Sequence, residues 1–132
     1  MLCNTPQRLV LQVAEDNYTG GVHGNSSTRY VAYQPLTGVE TAPRLMVPPE
    51  RAADVLPVVE RFFRRERAVT PTSTLADDGF QFPNGSFTLD DATFAVCGSS
   101  LPVHWNAYAI APYATGPTTL IVPLDSVPAL RR

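Results

Sequence analysis

Apolar and polar residues alternate in short runs through the first third of the chain, and a period of two is typical of β-strands. Residues 8–13 and 28–33 are rich in aliphatic, aromatic and β-branched side chains, so each run predicts a strand. Residues 36–39 predict a tight turn that leads into a third, shorter strand near residues 40–45.

A period near 3.6 replaces this alternation after Pro48 and Pro49 and predicts one main helix that ends at about Arg67. Proline is tolerated in the first turn of a helix, which favours a start at these residues. Pro57 is expected to kink the helix or divide it in two, because it removes a backbone hydrogen bond. One apolar face is predicted to pack on a sheet: Ala52, Val55, Leu56, Val59, Phe62 and Phe63.

The second half of the chain predicts further short strands at residues 80–82, 86–89, 93–96, 102–105 and 118–122. The turn sequences at residues 77–79 and 83–85 separate some of them, as expected for antiparallel neighbours. The whole pattern predicts an α+β fold: an antiparallel β-sheet with one main, kinked or divided, α-helix packed on one face. We expect residues 1–132 to form a single domain.

Composition narrows the possible partners. The chain has 44% hydrophobic and 17% charged residues, which is near the norm for globular proteins. Its formal net charge is −2, and no stretch gathers enough cations to follow a phosphate backbone, so we expect no nucleic-acid partner. No run of 18 apolar residues occurs, so no membrane-spanning segment is predicted in this chain.

Two features of the sequence bear on the compartment. Residues 1–13 lack the apolar stretch of a secretion signal, so no targeting signal is predicted in the chain as given. Cys3 and Cys97 could form a disulfide in an oxidising compartment or remain two thiols in a reducing one. If paired, they would close a loop of about 95 residues, which stabilises by about 4 to 5 kcal/mol in the chain-entropy model.

Two segments resemble the family of C-terminal domains found in the anti-sigma factor RsiV and the peptidoglycan deacetylase PdaC. The first reads Tyr-Thr-Gly-Gly-Val-His-Gly at residues 18–24, and the second reads Tyr-Ala-Ile-Ala-Pro-Tyr-Ala-Thr-Gly at residues 108–116. A shorter piece, residues 87–90, also matches in position. Order, spacing and the intervening helix agree over about residues 9–130, although Ala109 stands where the family has an acidic residue.

The resemblance implies an extracytoplasmic, non-catalytic binding or sensor domain that needs no cofactor. In RsiV this region binds lysozyme, whereas in PdaC the chemistry belongs to a separate deacetylase domain. We therefore expect the partner to be a lysozyme-like protein or a peptidoglycan fragment. The alternative is a peptidoglycan-directed hydrolase or an accessory domain of a deacetylase, with His23 and an aspartate as the working groups.

The best candidate binding residues lie in the two segments that carry the resemblance. Tyr108, Pro112 and Tyr113 would offer rigid contact area on one loop, with Asn106 and Thr115 as rim hydrogen-bonding groups. The other interpretation is that this loop folds inward and its tyrosines fill the core. The same loop ends at Gly116, and the glycine-rich loop adds four more candidates: Gly20, Gly21, His23 and Gly24.

Catalytic constellations are weak by comparison, and we expect no enzyme activity. No serine lies in a Gly-x-Ser-x-Gly turn, and no histidine pair has the spacing of a metal site. His104, beside Trp105 in a predicted strand, is expected to serve packing or to lie at the surface. The aspartate pairs at residues 77–78 and 90–91 are typical of solvent-exposed turns, in which the carboxylates cap nearby backbone N–H groups.

Overall fold

A computed structural model describes residues 2–18, 20–21 and 24–130 of the chain. Four strands and two helices make up its first half: β1 (Cys3–Asn4), β2 (Leu9–Asn17), β3 (Asn25–Tyr33), β4 (Glu40–Thr41), α1 (Pro43–Met46) and α2 (Ala52–Glu66). Three strands follow: β5 (Thr93–Phe94), β6 (Ser100–Trp105) and β7 (Thr118–Pro123). Short 3₁₀ turns lie at Pro49–Arg51, Pro83–Gly85, Tyr113–Thr115, Leu124–Ser126 and Pro128–Leu130.

The strands form two antiparallel sheets, which confirms the predicted α+β class. One sheet has the order β1-β2-β3-β4, and the other has the order β5-β6-β7. The first is dominated by a long hairpin in which β2 and β3 pair from Leu9 with Tyr33 to Asn17 with Asn25. The second is built around β6, which pairs with β5 on one side and β7 on the other.

Helix α2 covers the three-stranded sheet with the apolar face that the sequence predicts. Val55, Val59 and Phe63 have no exposed surface, and the ring of Phe63 lies 5.1 Å from the rings of both Phe80 and Trp105. Edge-to-face rings at this separation add to the stabilisation that burial itself gives. The helix continues through the exposed Pro57 as one element, so the predicted division into two pieces is wrong.

A smaller apolar cluster joins the four-stranded sheet to the rest of the molecule. It consists of Val10, Tyr30, Ala32, Met46, Ala95 and Cys97. A disulfide between Cys3 and Cys97, with the Cα atoms 5.9 Å apart, ties strand β1 to the segment that precedes β6. This separation is ordinary for a disulfide. Of the two possibilities that the sequence left open, the structure therefore has the paired one.

Two strand predictions are wrong and a third is too long, for identifiable reasons. Residues 80–82 and 86–89 are not strands, although Phe80, Phe82, Phe87 and Leu89 are all buried. The alternation there reflects side chains that fill the core around Phe63, and a 3₁₀ turn separates the two pieces. The strand expected near residues 40–45 ends at Thr41, because Pro43 occupies the first turn of helix α1, where proline is favoured.

Candidate functional site

Strand β3 has an open edge that side chains of the other sheet partly complete. Pairing with β4 covers only Ala32 and Tyr33. Farther along, Thr28 N donates to Asn106 Oδ1 at 2.7 Å, and Asn106 Nδ2 donates to Thr28 O at 2.9 Å. Two residues along β3, Tyr30 N donates to Thr93 Oγ1 at 2.8 Å. The two sheets are thus joined by side chains that pair as a neighbouring strand would.

The Asn106 amide also determines the tautomer of His104. Because Oδ1 accepts from Thr28 N, the 3.2 Å contact between Oδ1 and His104 Nε2 requires a proton on Nε2. In the neutral ring Nδ1 is then an acceptor, and it receives the hydroxyl proton of Thr119 at 2.8 Å. Both ring nitrogens of His104 are therefore engaged in the neutral state.

Burial keeps His104 neutral at ordinary pH. The side chain is 8% exposed, and desolvation of the imidazolium lowers the pKa of His104 below its usual value of 6.5. The hydrogen bond with Asn106 acts in the opposite direction and raises the pKa, but it is the smaller effect. An uncharged histidine here is consistent with a structural group rather than with a proton carrier poised near neutral pH.

A small cleft of about 210 Å³ opens beside this network, between the edge of β3 and the loop of residues 106–117. None of the residues that line it carries a formal charge at neutral pH, so the cleft is polar but uncharged. Its walls are Ser26, Thr28, His104, Asn106, Ala107, Tyr113, Gly116 and Pro117.

Two tyrosines of this loop lie against each other, and one of them, Tyr113, lines the cleft. Their rings are 5.1 Å apart between centroids and tilted by 37°, and Tyr108 is 61% exposed while Tyr113 is 37% exposed. The core position in this loop belongs instead to Ile110, which is buried. The structure therefore places both tyrosines outward, and the interpretation in which they fill the core is wrong.

The loop that carries the tyrosines is held at several points. Gln81 N donates to Ile110 O at 2.7 Å, and Arg67 Nη2 donates to Thr115 O at 2.8 Å. Pro112 is exposed and precedes the 3₁₀ turn that contains Tyr113. Gly116 follows that turn with a φ of 78°, a left-handed value that favours glycine. Anchors on both sides give the exposed rings a fixed position.

Tyr108 itself is held in an unfavourable backbone conformation. Its φ is 73°, whereas bulky residues with a Cβ rarely occupy the left-handed region. Strain of this kind costs about 1–3 kcal/mol and persists where the surrounding structure enforces it, often at binding sites. The outlier therefore makes Tyr108 a candidate binding residue.

The glycine-rich loop lies next to the cleft. Gly20 and Gly21 both have a φ of 100°, and a Cβ on Gly24 would lie 3.3 Å from Asn17 O, so the loop needs glycine for two different reasons. Gly24 and Ser26 line a neighbouring depression with Asp16, Asn17 and Tyr18, and Ser26 also lines the cleft. His23 was predicted as a further candidate and lies outside the described residues.

Of the ten candidate residues, Asn106, Tyr113 and Gly116 line the cleft, Tyr108 contacts Tyr113, and Gly24 lies in the adjoining depression. Thr115 faces Arg67 through its carbonyl, and Pro112 lines a separate shallow depression with Tyr108. Sequence reasoning did not select Ser26 or Thr28 as site residues, and it assigned His104 to packing or to the surface. The sequence did hold part of the signal for this grouping. His104 and Asn106 are two residues apart, and side chains at this spacing point to the same face of a strand.

Two groupings that commonly support catalysis, a metal cluster and a carboxylate bonded to His104, are not found among the described residues. Within ranges 2–18, 20–21 and 24–130, no three His, Cys, Asp or Glu side chains are grouped so as to hold a metal ion. The hydrogen-bond partners of His104 are Thr119 and Asn106, neither of which is a carboxylate. No helix in the described part of the chain is long and apolar enough to cross a membrane.

Comparison with known proteins gives a family and a fold. The sequence model of a family described as "Protein of unknown function (DUF3298)" matches residues 45–125. A crystal structure of a DUF3298 family protein from Pseudomonas aeruginosa PAO1 is similar, with a TM-score of 0.66 and 18% identity over 94% of this chain and 57% of that one. No curated protein matches the chain.

A second solved structure, of a DUF3298 family member from Bacteroides fragilis NCTC 9343, has a TM-score of 0.59 and 22% identity. That match covers 90% of this chain and 46% of the other. The chain therefore spans about half the length of these two solved proteins. At these identities, the likeness concerns the fold.

Proposed function

The chain belongs to the DUF3298 family, and from this premise we propose that it is a non-catalytic recognition domain of the RsiV and PdaC type that works outside the cytoplasm. Its ligand is a lysozyme-like protein or a peptidoglycan glycan, bound at the Tyr108–Tyr113 pair and the adjoining cleft. The strained and exposed Tyr108, in contact with Tyr113, is the observation that carries the proposal.

The tyrosine pair has the properties of a binding hot spot. Tyrosine supplies a large contact area with only two side-chain torsions to fix, so little conformational entropy is lost on binding. The anchors at Ile110 and Thr115 hold the loop before any ligand arrives, which reduces the cost of ordering further. Exposed aromatic rings on such a loop serve recognition better than they serve stability.

The disulfide supports a location outside the cytoplasm. Disulfides persist in oxidising compartments, whereas cytosolic thiols are kept reduced. Cys97 is buried at 6% exposure within an apolar cluster, and the partly buried Cys3 packs against that cluster, so the bond is a structural link that belongs to the core. The family resemblance points to the same compartment.

The hydrogen bonds of His104 favour recognition over catalysis. A general base needs a free nitrogen within reach of substrate, and an orienting carboxylate usually supports it. Both nitrogens of His104 are bonded to neutral groups, and burial lowers its pKa. A hydrolase mechanism would therefore have to draw on groups other than His104.

Calorimetric titration with lysozyme and, separately, with soluble peptidoglycan fragments tests the proposal. We expect saturable heat with one of these ligands and loss of that heat in Tyr113→Ala. Leu36→Ala is the matched control, because Leu36 is 90% exposed and belongs to the β3–β4 turn rather than to the site. Far-ultraviolet circular dichroism would establish that both variants are folded.

Each outcome has a distinct meaning. Heat that Tyr113→Ala abolishes and Leu36→Ala keeps would establish the tyrosine pair as the contact. Absence of heat with both ligands would remove the two proposed partners. Binding that Tyr113→Ala leaves unchanged would place recognition elsewhere on the molecule, and release of reducing sugar from peptidoglycan would favour the hydrolase alternative.

A further inference from the structure

The open edge of β3 carries a third backbone position of the same kind as Thr28 and Tyr30. Residues along an antiparallel edge alternate, so that every second residue directs its N–H and C=O away from the paired strand. Thr28 and Tyr30 direct these groups away from β2, towards Asn106 and Thr93. Ser26 has the same parity, since it pairs with Asp16 as Thr28 pairs with Ala14.

Ser26 differs from Thr28 and Tyr30 in the state of its outward N–H and C=O groups. In the described part of the chain, no group completes the edge at Ser26 as Asn106 does at Thr28. Its backbone lies about 7 Å farther along the strand, and the residue lines the cleft below Tyr113. A donor and an acceptor therefore stand side by side at the wall of a preformed, uncharged cleft.

We infer that the cleft receives an extended segment of a protein partner, one residue of which pairs with Ser26 as Asn106 pairs with Thr28. This inference rests on the proposed function and assigns its ligand to the protein class. The complementary group must present an acceptor and a donor together on one side. The N–H and C=O of one extended residue do so, and the carboxamide of an asparagine or glutamine does so equally.

A glycan fits this edge less well. The N–H and C=O of an acetamido group are trans and point in opposite directions, so the group can meet only one of the two Ser26 positions at a time. Strand addition at a sheet edge is a common mode of peptide recognition, in which backbone hydrogen bonds give affinity and neighbouring pockets select side chains. Tyr113 lines the same cleft as Ser26 and contacts Tyr108, so this pair is available to the side chains that flank the paired residue.

The first experiment uses the unmodified chain and two small probes. N-acetylasparagine N′-methylamide offers both matching groups on one side, whereas the acetamido group of N-acetylglucosamine offers only one of them at a time. We expect the asparagine probe to shift the Ser26 amide resonance saturably in ¹⁵N-correlated spectra and to leave the Ala14 amide unchanged. A shift of Ser26 with N-acetylglucosamine only, or with neither probe, would overturn the inference.

The second experiment removes the donor without disturbing the hairpin. Ser26→Pro deletes the outward N–H, and proline is tolerated at edge positions that do not donate to the paired strand. Ser26→Ala keeps the N–H and removes only the hydroxyl. Ala14→Pro is the matched proline control, because Ala14 has the same parity on β2 and β1 pairs with β2 only at Leu9 and Val10.

With lysozyme as the ligand, we expect Ser26→Pro to bind about tenfold more weakly, whereas Ser26→Ala and Ala14→Pro bind as the unmodified chain does. If Tyr113→Ala abolishes lysozyme binding but Ser26→Pro does not weaken it, the proposed function stands and the Ser26 pairing is wrong. If lysozyme does not bind the unmodified chain, that partner is removed and the probe spectra alone decide the inference. They decide it also if Ser26→Pro fails to fold.

Discussion

The carboxamide of Asn106 is paired with the backbone of Thr28 at both ends, with Oδ1 accepting from Thr28 N at 2.7 Å and Nδ2 donating to Thr28 O at 2.9 Å. The two residues are 78 positions apart in the chain. This pairing joins the open edge of one sheet to the end of the other. It also positions the loop of the two tyrosines, because Asn106 is the first residue after β6.

Replacing Asn106 should destabilise the fold. Asn106→Leu keeps a similar volume but leaves the N–H and C=O of Thr28 without partners in a partly buried place. Each unsatisfied group costs about 1–3 kcal/mol, so we expect a loss of about 2–4 kcal/mol in the free energy of unfolding. Urea denaturation would measure it. Asn4→Leu, at an exposed position, should stay within about 0.5 kcal/mol of the unmodified chain.

The stability of the protein should fall with pH as His104 becomes protonated. The unfolded chain titrates His104 near its ordinary pKa of 6.5, while burial keeps the folded pKa lower. Between these two values the unfolded state binds more protons, so stability is full above about pH 6.5 and decreases below it. We expect His104→Gln to weaken this dependence. Thermal unfolding of both proteins at pH 8 and pH 5 makes the comparison, and equal slopes would contradict it.

The sequence predicted the helix and the central parts of strands β2 and β3 because their signals are local and periodic. The positions Val55, Val59 and Phe63 recur at helical spacing, and this spacing alone identifies the buried face. Residues 80–89 gave the wrong result because Phe80, Phe82 and Phe87 alternate for another reason. Their rings converge on Phe63 from an irregular segment, and no local pattern distinguishes that from a strand.

The candidate site was only partly predictable for a related reason. Tyr108 and Tyr113 were identified because they lie in one recognisable segment. Thr28 is positioned by its pairing with Asn106 across 78 positions, and Ser26 lines the cleft beside that pairing. Such long-range contacts leave no trace in the local sequence. The prediction that the tyrosines bind a ligand stays a prediction, since their exposure is a condition for binding and not a demonstration of it.

Removal of the disulfide should lower the free energy of unfolding substantially. The bond between Cys3 and Cys97 closes a loop with a sequence separation of 94, and the chain-entropy model gives about 4–5 kcal/mol for such a loop. We expect the double variant Cys3→Ser, Cys97→Ser to lose about this amount in chemical denaturation. Dithiothreitol should produce a similar loss in the unmodified protein and none in the double variant, and an equal response of the two would argue against the link.

Ala68 does not line the cleft and offers a stabilising substitution. Helix α2 ends with Val69 N donating to Arg64 O and Ala68 N donating to Arg65 O, which is the Schellman arrangement, and Ala68 has a φ of 55°. Glycine avoids the Cβ strain of this conformation. We expect Ala68→Gly to raise the free energy of unfolding by about 0.5–1 kcal/mol without any change in ligand binding, as measured by denaturation and calorimetry on the same sample.

Tyr108→Gly relieves the same kind of backbone strain inside the site. Unlike Ala68→Gly, it should reduce the affinity for the ligand. The φ of 73° is relieved by glycine, and the side chain that is lost is 61% exposed, so little buried area disappears with it. We expect stability to stay equal or to rise by up to about 1 kcal/mol, as for Ala68→Gly, while ligand affinity falls at least about tenfold. A residue retained for stability would show the reverse, with a lower unfolding free energy and unchanged binding. Measuring both quantities on Tyr108→Gly and Ala68→Gly therefore separates strain that serves recognition from strain that merely accompanies the fold.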